Sequence, residues 1–247
     1  ASAGLRIDRH REFGTALTFA ANRFVLLSEQ LRLRAAYGEG FKAPSLFQLH
    51  SDYGNLALDP ESSRSFEAGV ELWPTLQGER IAALTLFRND SRNLIDFISC
   101  PPAGTGICAN RPYGTYDNIG RARSQGVEVE GQVEVAAGVR AGLAYAFTTS
   151  TNRETGLRLA RRPRHAGTMT LDWQAAEAVT LGADLRVVSA SFDDSANTVL
   201  LGGHALLDLR ASWAASEHFE LYGRIENAWD EHYQTAAGYA TQGRAAY

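Results

Sequence analysis

The most reactive side chains are Cys100 and Cys108, the only two cysteines, which flank the segment PPAGTGI. Their spacing admits a disulfide, two free thiols or part of a metal site. No histidine lies near enough in sequence to suggest zinc. The histidines, at positions 10, 50, 165, 204, 218 and 232, are scattered and form no i, i+4 pair. No nucleophile motif and no Ser- or Asp-with-His constellation stands out, so no catalytic residue, metal site or enzymatic role is expected. Binding chemistry is better represented. Arg158, Arg161, Arg162 and Arg164 bring four guanidiniums into one short stretch. Such a group suits an anionic ligand, although such arginines more often pair with neighbouring carboxylates.

What would position these groups is a repeated strand pattern. In Tyr116–Ala136, YDNIGRARSQGVEVEGQVEVA, Val127, Val129, Val133 and Val135 fall on one face, with Gly131 the only gap. Glu128, Glu130, Gln132 and Glu134 fall on the other. This is period 2, a strand with one apolar and one charged face. It is longer than the usual ~5–6 residues of a globular strand and suits the roughly 9–11 that cross a bilayer at a tilt. The pattern recurs at Thr15–Ala20, Leu31–Gly40, Ser65–Leu72, Val139–Asn152, Thr168–Trp173, Val179–Val188, Leu207–Trp213 and Phe219–Glu226, with a truncated start at Gly243–Tyr247. Arg80–Ser99 is ambiguous in register, because Leu84 and Leu86 share a face and Phe87 lies on the other.

Connections alternate between short turns, one of them containing Pro74 and Gly78, and long loops. Short periplasmic turns and longer extracellular loops are the habit of outer-membrane barrels. Charge is nearly confined to one face, as expected where Arg or Lys at the lipid midplane costs about 2–4 kcal/mol. Tyr37, Trp73, Tyr145, Trp173 and Trp213 lie near strand ends and fit interfacial girdles. A soluble sandwich would show shorter strands and loops. The chain has 247 residues, 45% of them hydrophobic, a net charge of −4 and one lysine, Lys42. That balance gives no reason to expect nucleic acid. No stretch approaches the roughly 20 apolar residues of a membrane helix, a test that barrels escape because only alternate residues face lipid.

Several stretches resemble the C-terminal half of a TonB-dependent outer-membrane receptor. In Leu31–Leu72 a strand ends in Tyr37-Gly38-x-Gly40-Phe41-x-Ala43-Pro44. A loop with Gly54, Asn55, Leu58, Pro60 and Glu61 follows, and then a strand with Glu67, Gly69 and Glu71. Asn118-Ile119-Gly120-Arg121-Ala122 with Gly126-Val127-Glu128, the stretch Arg161–His165, the stretch Glu226–Tyr233, and Gly243-Arg244 are similar to later passages of that family. The resemblance covers essentially the whole chain. It implies an all-β, transmembrane, antiparallel up-and-down β-barrel, present in part, with about eleven strands of a barrel of roughly 22. The plug domain, the TonB-contacting segment and the N-terminal strands are missing from the pattern. The chain opens ASAGLRIDRHREFG with neither a starting Met nor a signal peptide. A fragment or processed product is therefore expected, and half a barrel alone, with two open edges, would not transport.

By the same resemblance, the intact protein takes up a large scarce nutrient across the Gram-negative outer membrane, coupled through the plug to TonB, and needs no cofactor. The closing stretch NAWDEHYQTAAGYATQGRAAY looks most like the cobalamin-receptor subgroup, while ferric-siderophore receptors share nearly all the other motifs. A passive pore without energy coupling and a soluble β-rich binding module are the alternatives. With the loop between them extracellular, Cys100 and Cys108 are expected to form a disulfide. Ligand contacts are expected from loop apices and the upper lumen, with Phe47, Tyr53, Tyr113, Arg158, Asp193, Asp194 and Tyr239 as candidates. Outer-membrane lipid and lipopolysaccharide are the other expected partners.

Overall fold

The computed structural model describes residues 1–73 and 81–247, so the turn with Pro74 and Gly78 lies outside the described residues. In chain order the strands are β1 (Ser2–His10), β2 (Gly14–Leu26), β3 (Leu31–Lys42), β4 (Glu61–Leu72), β5 (Ala82–Arg92), β6 (Ile95–Ile98), β7 (Thr115–Asn118) and β8 (Arg121–Ala136). They continue with β9 (Val139–Asn152), β10 (His165–Ala176), β11 (Val179–Val188), β12 (Ser191–Phe192), β13 (Leu200–Leu201), β14 (His204–Ser216), β15 (Phe219–Glu226) and β16 (Ala245–Ala246). A five-residue helix, α1 (Leu46–His50), sits between β3 and β4. Among the described residues, one sheet holds twelve strands in the order β1-β2-β3-β4-β5-β8-β9-β10-β11-β14-β15-β16, each pair antiparallel. The small ladders β6–β7 and β12–β13 stand on two of the long connections. This is the up-and-down topology of part of a barrel.

The register fixes the two faces. Val127 lies opposite Leu86 and Phe147, and Val129 opposite Leu84 and Tyr145. Met169 lies opposite Leu143 and Leu185. These side chains remain open to the surroundings, Leu86 by 54% and Met169 by 56%. A soluble sandwich would bury that face against a second sheet. Instead the buried apolar cluster of Leu49, Leu58 and Ile95, with Phe13 and Tyr116 packed on it, belongs to the loops at one end. A continuous exposed apolar face of this extent is what lipid requires. Arg23, opposite Ala35, is a cation on it.

The structure resolves the ambiguous strand. Leu84 and Leu86 join the apolar face, while Phe87 points inward, opposite Glu67 and Gly126. It adds a strand that periodicity overlooked, β1, whose Leu5 and Ile7 oppose Phe19 and Leu17. One girdle expectation is corrected. Trp73 shares the inner face with Glu71, and the Arg32 guanidinium stacks 4.6 Å from its ring centroid. Tyr37 and Tyr145 lie toward the long loops, and Trp173 and Trp213 toward the short turns.

On the inner face, arginines cross neighbouring strands over glycine. Gly69 faces Arg34, whose guanidinium reaches Thr85 at 2.6 Å and Glu71 at 3.4 Å. Gly182 faces Arg210, which reaches Asp172 at 2.5 Å and also binds Asp184. Arg186 binds Asp208 at 2.7 Å. Opposite charges thereby pair across several strands, and each Cβ-less position leaves the space for the crossing.

Candidate functional site

The long loops gather at one end and form two linked assemblies. The first joins the β3–β4 connection to the β6–β7 hairpin. Ser45 caps α1, its hydroxyl accepting from the Gln48 N–H at 3.2 Å while the Gln48 side chain accepts from the Ser45 N–H at 2.9 Å. The chain then turns tightly at Gly54, where a Cβ would lie 2.7 Å from the Leu49 carbonyl carbon. Asn55, which is buried, donates to the Tyr116 carbonyl at 3.0 Å and accepts from the Ala57 N–H at 3.0 Å. Asn118 donates to the carbonyls of Asp59 and Asn93. The fully buried Thr115 hydroxyl accepts from Arg111 at 2.5 Å and donates to the Tyr53 carbonyl at 3.0 Å. Phe97 packs edge-on between Tyr53 and Tyr116, at 5.8 and 5.5 Å between centroids, and Phe47 meets Tyr116 at 6.2 Å.

The second assembly joins the β9–β10 loop to the β12–β13 hairpin. The Asn197 side chain exchanges two 2.8 Å hydrogen bonds with the Arg158 backbone. The Arg158 guanidinium lies 5.4 Å from the Phe192 ring centroid. Burial, with the nearby Arg164 charge, lowers the Arg158 pKa. The Arg161 N–H donates to the Phe192 carbonyl at 2.6 Å, and its guanidinium binds Asp193 at 2.7 Å. That hydrogen bond raises the Arg161 pKa against burial, and the charges of Asp193, Asp96 and Tyr239 add to it. Arg161 thus ties the β9–β10 loop to the β12–β13 hairpin through both its backbone and its side chain.

The sequence candidates fall into distinct places. Phe47 and Tyr53 join the aromatic cluster of the first assembly, and Tyr113, two residues before Thr115, is exposed. Arg158 and Asp193 come together around Phe192 and Arg161, and Tyr239 lies exposed near enough to act on Arg161. Asp194 is not turned to that group. It accepts from the N–H groups of Thr198 and Val199, each at 2.8–2.9 Å, and from the Thr198 hydroxyl at 2.8 Å, closing its own hairpin. Those donors, the Val199 N–H first, lower its pKa. The Cys100 and Cys108 sulfurs are bonded, with Cα atoms 5.4 Å apart. Phe192, Phe97, Tyr116 and Asn197 were not singled out by sequence. The alternation of the β12 segment is too short to read, and Arg158, to which Asn197 is bonded twice, is 39 residues away. Among the described residues no group of three or more His, Cys, Asp or Glu side chains could hold a metal ion.

A cationic, aromatic mouth above a two-faced antiparallel sheet is a receptor-barrel arrangement, and residues 1–228 match the family described as "TonB dependent receptor-like, beta-barrel". The chain belongs to that family. Its fold is similar to a mutant of the ferric enterobactin receptor PfeA from Pseudomonas aeruginosa, at 26% identity and a TM-score of 0.77 over 98% of this chain and 41% of that one. The siderophore receptor PirA from Pseudomonas aeruginosa aligns at 24% identity and a TM-score of 0.71, over 99% of this chain and 41% of that one. The ferric-catecholate import receptor Fiu from E. coli K12 aligns at 19% and 0.69, over 94% and 34%. The last two speak for the fold alone. The chain spans about two fifths of the length of PfeA and PirA. These structures, named as siderophore and ferric-catecholate receptors, lend no support to the cobalamin-like reading of the closing stretch. The family and its fold imply the outer membrane.

Proposed function

We propose that this chain is part of the barrel of a receptor, its C-terminal part by the motifs it carries, that takes up a ferric siderophore with energy delivered through TonB and a plug domain. The observation that carries this reading is the 26% identity, across 98% of the chain, to a receptor for ferric enterobactin. The mouth agrees with it in chemistry. Arg158 and Arg161 offer charge-assisted donors, and Phe192, Tyr239 and Tyr113 offer ring faces. Together these suit an anionic, ring-bearing iron chelate.

The test is uptake of radio-iron as ferric enterobactin by cells whose only such receptor is the intact protein containing this chain. Uptake should stop when TonB is deleted and should fall in an Arg158→Gln, Arg161→Gln variant that still reaches the outer membrane. Cobalamin in excess should not compete. Competition by cobalamin would restore the alternative ligand. Uptake that persists without TonB would replace the receptor reading with a passive pore.

A further inference from the structure

The segment that follows β15 runs back against the mouth end of β14. The Ala228 N–H donates to the Leu207 carbonyl at 2.7 Å, and the Asn227 N–H to the Asp208 carboxylate at 2.8 Å. Further on, the Thr241 hydroxyl donates to the Tyr233 carbonyl at 2.7 Å and shuts a loop, residues 233–241, at its base. Tyr239 stands exposed on this loop. A ring contact fastens the loop to the wall. The Tyr233 ring stacks on His204, the first residue of β14, at 4.2 Å between centroids and 28° between planes. His204 lies opposite Val188 and shares the inner face with Asp208 and Arg210.

That contact is built on a neutral imidazole. The His204 Nδ1 is buried and has no hydrogen-bond partner among the described residues. A neutral ring leaves one nitrogen without a proton, whereas the imidazolium carries N–H on both and needs an acceptor or water at each. Burial opposes the imidazolium here, the Gly202 backbone and the Glu231 carboxylate favour it, and Arg186 on β11 opposes it. Arg186 is itself bonded to Asp208 at 2.7 Å. His232, next to Tyr233, is exposed and acts on Asp230. The Tyr233 ring face would attract the cation. That attraction is weaker than the cost of a buried, charged N–H without a partner, so the protonated ring leaves the stack for water.

We propose that His204 and Tyr233 form an acid-released latch, in which the stack holds loop 233–241 against the wall at neutral pH and protonation of His204 frees it. Tyr239 then leaves the neighbourhood of Arg161, on which it acts in the latched state. Histidine is the side chain whose charge ordinarily changes between about pH 5 and 8, so the latch senses acidity at the mouth of the barrel. It does not depend on which nutrient is imported.

Amide exchange of the intact receptor in detergent, read by mass spectrometry, tests this. Rates are converted to protection factors, so that the intrinsic pH dependence of exchange cancels. Protection of residues 234–241 should fall about tenfold in the wild type between about pH 7.5 and about pH 5.5, while that of β14 is unchanged. His204→Phe keeps an aromatic face and cannot titrate, so its protection should be the same at both values. His232→Gln should respond as the wild type. Tyr233→Leu removes the stack from the other side and serves if His204→Phe does not fold. It should show the lower protection at both values. Wild-type protection that ignores pH, rises in acid or falls together with that of β14 would overturn the proposal. So would an acid response that survives in His204→Phe or Tyr233→Leu, or one that is lost in His232→Gln.

Discussion

Gly182→Ala tests whether the inner-wall glycines exist to let arginines cross. A Cβ at Gly182 would lie 2.6 Å from the Arg210 Cζ and 2.7 Å from its Cγ. The obstacle is a flexible side chain and not backbone, so Arg210 would swing away and lose Asp172 and Asp184. Those three side chains are 41%, 46% and 28% exposed. Each pair therefore belongs in the range of about 0–1 kcal/mol found for solvated ion pairs, which bounds the loss at roughly 2 kcal/mol. Against this, Ala in place of Gly inside a strand gains about 0.5–1 kcal/mol. The net expectation in the wild type lies between a stabilisation of about 1 kcal/mol and a destabilisation of about 1.5 kcal/mol, and is less favourable than in the absence of Arg210. In an Arg210→Ala background only the gain survives, and Gly182→Ala should stabilise by about 0.5–1 kcal/mol. Urea titration of the intact receptor in lipid vesicles, followed by tryptophan fluorescence and by the heat-modifiable gel shift, measures both arms of the cycle. An equal effect of Gly182→Ala in the two backgrounds would refute the crossing argument, because the cost would then come from the strand and not from the arginine.

Three further outcomes follow from the loop assemblies. Asn55→Ala should leave the Tyr116 carbonyl without its donor and cost about 1–3 kcal/mol, seen as faster proteolysis within residues 43–60 while the gel shift of the barrel is unchanged. Reducing the Cys100–Cys108 bond should release about 2.5 kcal/mol of loop-closure constraint, read as new protease cleavage between residues 93 and 120 with no loss of the folded barrel. The Asp194 pKa is lowered by the Val199 N–H and its companions. Its stabilising effect is therefore full above the ordinary carboxylate pKa and is lost as pH falls through the lower folded value. Amide exchange at Thr198 and Val199, compared with an Asp194→Asn variant, should accelerate only on the acid side of that range.

The faces of the sheet were legible because lipid and lumen impose period 2 over long stretches. What lay outside the bilayer was not. The strand at Ser65–Leu72 begins at Glu61, and the one whose alternation starts at Val127 begins at Arg121. In both, the extra residues have two wet faces and no alternation to read. β1 escaped notice because only Leu5 and Ile7 mark its apolar side. Phe87 and Trp73 misled in the same way, as large rings on the inner face where rings are not expected. Asp193 and Asp194 are neighbours with identical chemistry, and only the hairpin geometry sends the first to Arg161 and the second to Thr198 and Val199.

The motif residues that carry the family resemblance prove to be structural. Gly54 makes the turn that Leu49 crowds, Asn55 ties β7 to the β3–β4 loop, and Glu61 accepts from the Ile95 N–H at 3.0 Å and from Lys42 at 3.2 Å. Gly120 has φ +68°, with the Glu154 carboxyl carbon 2.5 Å from where a Cβ would stand. Asn227 takes φ +49° and binds the Glu231 backbone through both side-chain atoms. These glycines and side chains are committed to holding the loops in place. The motifs therefore identify the family and stay silent on its cargo. On the proposed function, selectivity is expected from groups outside those motifs, such as Tyr113, Arg158 and Phe192. In those residues two receptors with the same cap are free to differ, which is why the sequence named the fold more sharply than the nutrient.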